Sequence, residues 1–376
     1  MIYLNQAATT YPKPKQVLDA VADAITRLPQ GQFRSSLPTE DVFAECKNKL
    51  AKLFGVDNPQ NIIITSGATA GANALFYGLE FENKRVMISQ TEHNSILRPA
   101  LNLKDKVSEG IVVPCDSIGR VDSGILDEML GEYEGKIDAF FINHCSNVTG
   151  YVQDIKELAA VCHRHGALIV ADFSQSAGCV DIKASEWGID AFIFAGHKGL
   201  MGIQGIGGYY IRPGIVSRPF MYGGTGRDSR KIVYDSDYEY EVGTENGPGI
   251  AGLNAGVKFI LNKGVENIRD YDLRLMDRLY NGLTEIKGVN LIEVPEEHRG
   301  PVLSFTMDGM KPSDLAYILQ NGYDITVRTG LHCAPLIHDA LNTAYGGTVR
   351  ISVSCMNSDE DVDALILAVK DIAAGV

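Results

Sequence analysis

Short apolar runs alternate with amphipathic segments along most of the chain. Apolar runs bounded by small or polar residues predict buried strands over 61–65, 85–89, 137–143, 167–171 and from 189 into the sequence AGHKG. Apolar residues at 17, 21, 25 and 28 recur every three or four positions, which predicts a helix beginning after Pro14. A second helix is predicted over 39–54, with Thr39 or Asp41 as its N-cap. Strands that alternate with helices predict an α/β fold.

The last third of the chain repeats this alternation. Helices are predicted over 252–262, 265–286, 313–321 (capped by Ser313) and 359–373, and strands over 302–307, 325–327 and 348–353. With 376 residues the chain is long enough for two cores. We expect a large domain over 15–257 and a smaller α/β domain formed by 1–14 and 258–376. The polar, glycine-rich segment between them is too long for a plain connector, which favours a functional or interface role.

The composition limits the kinds of molecule that this chain is expected to bind. Hydrophobic residues make up 45% and charged residues 22%, and the formal net charge is -13. An acidic chain without a polybasic run is not expected to bind nucleic acid or an anionic membrane. The N-terminal residues lack a basic region followed by a long apolar run, and no apolar stretch reaches ~18 residues. This pattern predicts a cytoplasmic protein.

The cysteine pattern indicates neither disulfides nor a metal site. There are seven cysteines, an odd number, and none are arranged as CxxC. Most are expected to be small buried hydrophobic residues. Cys333 differs, because it lies in the sequence VRTGLHCAPLIH among glycine, histidine and arginine rather than in an apolar periodic segment. Neighbouring cations such as Arg328 stabilise a thiolate, although a structural cysteine is the alternative.

The predicted strands are followed by residues that could carry chemistry. These residues are the segment 67–69, His93, Asn147, Asp172 with Gln175, and Lys198. Open parallel α/β sheets bind ligands at the carboxyl ends of their strands. Each residue has an ordinary explanation by itself, such as a helix cap, a turn or a solvated loop. Their shared position at strand ends favours one binding site.

Lys198 and Asp172 together suggest a particular cofactor. An enzyme that uses pyridoxal phosphate needs a lysine that forms a Schiff base and a carboxylate that keeps the pyridine nitrogen protonated. Gly67, Ala68 and Thr69 precede a predicted helix, whose first backbone N–H groups could hold a phosphate. The imidazole of His93 could stack on the cofactor ring. A surface lysine and a capping aspartate are the alternatives.

The chain resembles the class V, fold-type I pyridoxal-phosphate enzymes through ADFSQSAG and FAGHKG. Further motifs in the family order are NQAATT, SGAT, TEHNS, SNVTG, GTEN and VRISVSCMN, so the resemblance covers essentially the whole chain. The segment RTGLHCA is similar to the signature of the group II cysteine desulfurases, the branch that includes selenocysteine lyases. The resemblance implies a large, mostly parallel sheet domain plus a smaller α/β C-terminal domain, and a homodimer.

The resemblance also implies roles for single residues. Lys198 would bind the cofactor covalently, Asp172 would pair with its ring nitrogen, and His93 would stack on its ring. Gln175 and Asn147 would contact the phenolic oxygen. The phosphate would be held by Ala68, Thr69, His197 and the other subunit's Thr244. For the substrate, Arg350 would bind the carboxylate bidentately, with Arg328 and Asn147 beside it.

The implied reaction converts L-cysteine to L-alanine and leaves a persulfide on Cys333 for transfer to an acceptor. L-Selenocysteine is an alternative substrate. In a second reading the chain is another class V aminotransferase, epimerase or C–S lyase in which Cys333 is not catalytic. The sequence departs from the family pattern in three places. Ala195 replaces a common serine, Leu331 replaces a common histidine, and the segment FRSSLP lacks a histidine that many members have. The short segment around Cys333 suggests that a dedicated acceptor protein docks to it.

Overall fold

The computed structural model describes residues 1–26, 41–224, 230–233 and 239–375. The strands are β1 (Ile2–Tyr3), β2 (Ile62–Thr65), β3 (Arg85–Ser89), β4 (Glu109–Val113), β5 (Ala139–Asn143), β6 (Leu168–Asp172), β7 (Ala191–Ala195), β8 (Gly207–Ile211), β9 (Val289–Leu291), β10 (Val302–Met307), β11 (Ile325–Thr326), β12 (Arg328–Gly330) and β13 (Thr348–Ser352). The helices are α1 (Lys15–Thr26), α2 (Val42–Phe54), α3 (Ala68–Gly78), α4 (Asn94–Asn102), α5 (Ser123–Glu132), α6 (Ile155–Arg164), α7 (Gly247–Lys263), α8 (Val265–Thr284), α9 (Pro312–Tyr323), α10 (Ile337–Ala340) and α11 (Asp359–Ala374).

A seven-stranded sheet forms the larger part of the molecule, with the strand order β2-β8-β7-β6-β5-β3-β4. The neighbouring strands β4, β3, β5, β6 and β7 are paired in parallel. The strand β8 is antiparallel to both of its neighbours, β7 and β2. Six strands therefore point the same way. Because the carboxyl ends of these six strands lie at one edge, the residues that follow them meet there.

The two faces of this sheet are covered by separate apolar cores. Neighbouring residues of one strand belong to different cores: Phe140 packs with α2 and α6, whereas Phe141 packs with α3 and α4. In the same way, Ile169 belongs to the first of these cores and Val170 to the second. This alternation follows from the two-residue period of a strand. It explains why the strands of the sheet read as continuous apolar runs, since both faces are buried.

The C-terminal part of the chain builds a second, smaller unit. Its four-stranded sheet has the order β12-β13-β10-β9 and is antiparallel, and β1 pairs with β11 in parallel. One apolar cluster contains Leu4, Leu279, Phe305, Ile351 and Leu365. The N-terminal strand thus joins the C-terminal unit.

The exact domain boundary stays a prediction. Residue 257 lies inside α7, and the α7 residues Val257 and Ile260 belong to the core of the large sheet. We propose that the division lies near Gly264, between α7 and α8, because α8 contributes Leu275 and the following apolar residues to the small core.

Most predicted elements are present, with small differences at their ends. The carboxylate of Asp41 accepts from the Ala44 N–H and caps α2, while Thr39 and Leu28 lie outside the described residues. The predicted cap at Ser313 is wrong, because α9 begins at Pro312 and Lys311 occupies the cap position. The strand β8 was not predicted from the sequence. Among the described residues, no helix is long and apolar enough to cross a membrane.

Candidate active site

A cavity of about 380 Å³ lies at the carboxyl edge of the large sheet. It is lined by nearly all of the predicted site residues: Ala68, Thr69, His93, Asn147, Asp172, Gln175, His197, Lys198, Arg328 and Arg350. The first eight follow the strands of the large sheet, and the two arginines come from the small sheet. The cavity therefore lies between the two sheets, and both are needed to complete it.

Lys198 and Asp172 line the cavity at the carboxyl ends of the paired strands β7 and β6. The Asp172 carboxylate accepts the Ser174 N–H at 2.8 Å. Burial raises the pKa of Asp172, and Ser174 and the Lys198 ammonium oppose this shift. Burial also lowers the pKa of Lys198 to about 8, with Arg350 and Arg328 adding to the effect and Asp172 opposing it. A substantial fraction of Lys198 is thus neutral, and nucleophilic, near pH 8.

The N-terminus of α3 opens toward the cavity. Gly67 precedes this eleven-residue helix with a φ of 150° and no side-chain cap. A Cβ at Gly67 would have no atom of the described residues within 4 Å, so these residues leave open space beside the first turn. The backbone N–H groups of this turn lack helical acceptors and favour an anion. Thr69 and His197 also line the cavity.

His93 is held in one orientation at the start of α4. Its Nδ1 accepts from the Ser95 N–H at 3.1 Å and lies 2.9 Å from the Ser95 hydroxyl. Burial lowers the pKa of His93 to about 4, and Lys198 contributes further. The ring is therefore neutral at pH 7 and can lie flat against an aromatic ligand without placing a second cation beside Lys198.

The Cys333 loop docks on the cavity wall through backbone contacts. The Asn147 side-chain amide donates to the His332 carbonyl oxygen at 2.7 Å, and the Asn94 N–H donates to the Cys333 carbonyl oxygen at 2.7 Å. His332 and Cys333 both have left-handed backbone conformations, with φ values of 50° and 62°. The half-buried Cys333 thiol accepts from the Arg328 guanidinium, with 3.1 Å between Nη2 and Sγ.

Arg328 and Arg350 are direct partners across the antiparallel strands β12 and β13. Arg350 is fully buried and donates to the Asn147 carbonyl oxygen at 2.9 Å and to Asn5 Oδ1 at 3.0 Å. Burial and the charge of Arg328 lower the pKa of Arg350 to about 9. Two guanidinium groups on one wall form a binding surface for an anionic group.

Comparison with known proteins identifies the family. The profile described as aminotransferase class-V matches residues 2–365. The chain belongs to the class-V aminotransferase family. A probable cysteine desulfurase of Methanothermobacter thermautotrophicus is 30% identical over 385 residues, which cover 99% of this chain and 94% of the relative. A probable cysteine desulfurase of Halobacterium salinarum is also 30% identical, covering 99% and 91%.

Solved structures agree with this family assignment. The apo structure of cysteine desulfurase from Thermococcus onnurineus NA1 has a TM-score of 0.91 and 28% identity, and the match covers 100% of this chain and 95% of that one. The cysteine desulfurase CsdA from Escherichia coli superposes with a TM-score of 0.86 at 24% identity over 100% and 94%, and this match supports the fold alone. The expected fold-type I architecture of a class-V enzyme is thus confirmed.

The cavity of this class-V chain has the donors that pyridoxal phosphate requires. Ser174 Oγ, His197 Nδ1 and Arg350 Nε are buried atoms of cavity-lining residues, and none has a hydrogen-bond partner in the described part of the chain. A lysine, a carboxylate and an open helix N-terminus complete the set. The volume is also within the range of about 300–1,000 Å³ for small-molecule sites. The residues present therefore fit the group.

Two predicted residues of the class-V site lie apart from the cavity. Cys333 and Thr244 are not among the lining residues within the part of the chain that the structure describes. Cys333 is linked to the cavity by Arg328, which borders it. Thr244 is exposed on the segment before α7. Its predicted role in a second subunit stays a prediction.

Sequence reasoning about this class-V chain missed several cavity residues. Ser174, Ser95, Asn143 and Gln204 also line the cavity. Ser174 lies in the quoted motif ADFSQ and Asn143 ends a predicted strand, so both had a positional signal. In addition, Lys13 donates to the His197 carbonyl oxygen at 2.7 Å. Among the described residues, no group of three or more His, Cys, Asp or Glu side chains could hold a metal ion.

Proposed function

We propose that this chain is a cysteine desulfurase that converts L-cysteine to L-alanine and a persulfide on Cys333. The observation that supports this most directly is the contact between the Arg328 guanidinium and the Cys333 thiol, on a loop bound to the wall of the lysine-bearing cavity. A guanidinium in hydrogen-bond contact with a half-buried sulfur holds that sulfur in place and can stabilise negative charge that develops on it. The relatives named cysteine desulfurase support the same reaction.

The cofactor in this proposal is pyridoxal 5'-phosphate. When bound, it withdraws electrons from the substrate carbon atoms next to the amino group. Lys198 would hold it covalently, and Asp172 would pair with its ring nitrogen. His93 would cover the ring, while Asn147 and Gln175 would bind its phenolic oxygen. Ala68, Thr69 and His197 would hold the phosphate at the open N-terminus of α3.

Lys198 would also move a proton. With substrate in the cavity, the neutral Lys198 amine would accept the proton from the substrate α-carbon. Its pKa of about 8 suits a general base that works near neutral pH. The proton held on Nζ can then be returned to the product.

The two arginines would orient the substrate. Arg350 is held rigidly by Asn147 and Asn5, and its Nε has no partner in the described residues, so it can donate to a carboxylate. Arg328, its cross-strand partner, would bind near the same carboxylate and keep its contact with Cys333. The side-chain sulfur of a bound cysteine would thereby be directed toward the Cys333 loop.

Sulfur transfer then occurs at Cys333. The Cys333 thiolate attacks the substrate sulfur, an S–S bond forms, and the bond between this sulfur and the substrate β-carbon breaks. The electron pair of the broken bond remains on the carbon side and is protonated there, which yields the methyl group of alanine. The atoms balance: one thiolate and one cysteine give one persulfide anion and one alanine. A sulfur-acceptor protein would remove the outer sulfur.

We further propose that the chain acts as a homodimer in the cytoplasm. The exposed position of Thr244 is compatible with a role in the partner's phosphate site. The described part of the chain contains seven free cysteines, which is usual for a reducing compartment.

The deciding experiment measures alanine formed from L-cysteine by the purified, cofactor-loaded protein. We compare wild type with Cys333→Ala and use Cys115→Ala, another half-buried cysteine, as the matched control. We expect wild type and the control to form alanine and Cys333→Ala to lose at least about 100-fold of the rate. Unchanged turnover by Cys333→Ala would reject the persulfide reaction while leaving the cofactor assignment intact. A parallel assay with L-selenocysteine tests the alternative substrate, and selenocysteine lyase activity that survives loss of Cys333 would favour that reading.

A further inference from the structure

A second, much smaller cavity lies directly behind the wall of the large one. Its volume is about 20 Å³, and Ala7, Gln175 and Lys198 border both cavities. The intervening backbone is closely packed, since a Cβ on Gly199 would collide with the Ala177 carbonyl oxygen and with Cys179. The two cavities therefore share the residues Gln175 and Lys198 and are separated by closely packed backbone.

Asp272 of α8 borders this small cavity with a carboxyl group that lacks a partner. The residue is 3% exposed, and within the described part of the chain neither carboxylate oxygen has a hydrogen-bond partner. Buried polar groups are nearly always satisfied by protein atoms or by ordered water. Since the described residues supply no such atom to Asp272, we infer that its partner is a small molecule in the cavity.

The volume and the polar lining of the cavity are suited to one water molecule. A cavity needs at least about 10–15 Å³ to hold one water, and this water needs two to four polar partners. Gln6, Thr10, Gln175 and Ser354 border the cavity together with Asp272. Thr10 is already connected to the site, because its hydroxyl donates to the Lys198 carbonyl oxygen at 2.5 Å.

The environment of Asp272 favours the neutral, protonated form of its carboxyl group. Burial raises the pKa of Asp272 to about 8, although Lys263 and Arg269 oppose the shift. Cys179 and Cys355 also face it, and burial keeps both thiols protonated by raising their pKa values. The Asp272 carboxyl therefore retains its proton at pH 7 and can donate an O–H as well as accept a hydrogen bond.

We propose that Asp272 binds a structural water in this cavity and through it holds the backbone around Lys198 and the side chain of Gln175 in position for the cofactor. Asp272 is then a positioning residue, since within the described part of the chain it borders the small cavity and not the large one. The effect on the cofactor rests on the proposed function, whereas the water site does not.

The first test compares Asp272→Asn and Asp272→Leu, with Asp270→Asn on the exposed side of α8 as the control. Asn keeps the polar partners of a water, and Leu removes them at a similar volume. For each cofactor-loaded variant we measure the cofactor dissociation rate and the pH midpoint of the absorbance of the lysine-bound cofactor. We expect Asp272→Leu to release the cofactor about 10-fold faster and to shift the midpoint, and both Asn variants to behave like wild type. A Leu variant with wild-type values overturns the positioning role.

The second test uses the cofactor-free protein and remains informative if Asp272→Leu does not fold. The folded-state pKa of Asp272 is about 8 against an ordinary 3.8, so the folded protein keeps a proton that the unfolded chain releases. The stability of wild type therefore falls as pH rises from about 4 to about 8. Asp272→Asn cannot ionise, so its melting temperature relative to wild type should increase over this range. A constant difference contradicts a neutral, buried Asp272.

A crystal structure of wild type provides the direct observation. We expect ordered density within hydrogen-bond distance of the Asp272 carboxyl, and a dry cavity overturns the proposal. If the protein binds no pyridoxal phosphate, the proposed function fails, yet the melting and density measurements still decide whether Asp272 binds water.

Discussion

The Arg328 guanidinium donates to the Cys333 thiol, with 3.1 Å between Nη2 and Sγ. Arg328 also lines the large cavity, whereas Cys333 does not. One side chain thus connects the thiol to the site. Because Arg328 pairs across the sheet with the buried Arg350, its position is determined by strand pairing rather than by the flexible reach of a loop.

Replacing Arg328 by Met should make Cys333 less reactive. The thiolate loses a charge-assisted hydrogen bond, so alkylation of Cys333 by iodoacetamide at pH 7 should slow by about 10-fold. The rate is measured by mass spectrometry of the Cys333 peptide. Arg85→Met, which removes an exposed arginine paired with Glu109, is the control and should leave this rate unchanged. Equal alkylation rates in the two variants would contradict a role for Arg328 in activating the thiol.

The pH dependence of cofactor uptake should report the Lys198 amine. Only the neutral amine attacks an aldehyde, and burial lowers the pKa of Lys198 to about 8. Uptake of pyridoxal phosphate by the cofactor-free protein should therefore rise about tenfold per pH unit up to roughly pH 8 and then level off. The measurement is stopped-flow absorbance. A rate that continues to rise toward pH 10 would indicate a solvated lysine with its ordinary pKa.

Gly207→Ala should weaken cofactor binding through the phosphate end of the site. A Cβ on Gly207 would lie 2.7 Å from the Gly67 Cα and 2.6 Å from the Phe194 carbonyl oxygen, so the turn before α3 must move. We expect about 10-fold weaker binding of pyridoxal phosphate, measured by equilibrium titration. The control is Gly322→Ala in α9, where the nearest atom would be 4.0 Å away. Wild-type affinity in Gly207→Ala would show that this turn tolerates displacement.

The candidate residues at the strand ends could be predicted from the sequence because the signals are local. The five predicted strands of the large sheet are apolar runs, and candidate residues for chemistry follow each of them at the carboxyl end. Once the strands are parallel, this regularity brings His93, Asn147, Asp172 and Lys198 to one edge without any knowledge of side-chain contacts. The strand β8 was not predicted because a pair of glycines, here Gly207 and Gly208, is typical of a turn. These glycines occur there because the neighbouring strands leave no room for a Cβ.

What the sequence alone determined is five of the seven strands of the large sheet, many of the helices and the chemical groups that follow those strands, since period and residue type are properties of short segments. The tertiary structure decided which distant residues meet. Pairing of β12 with β13 placed Arg328 beside Arg350, and docking of the Cys333 loop on Asn94 and Asn147 brought the thiol to the cavity wall. Asp272 is the clearest case. It reads as a polar position of an amphipathic helix, and only packing of α8 against the turns behind Lys198 removes it from water.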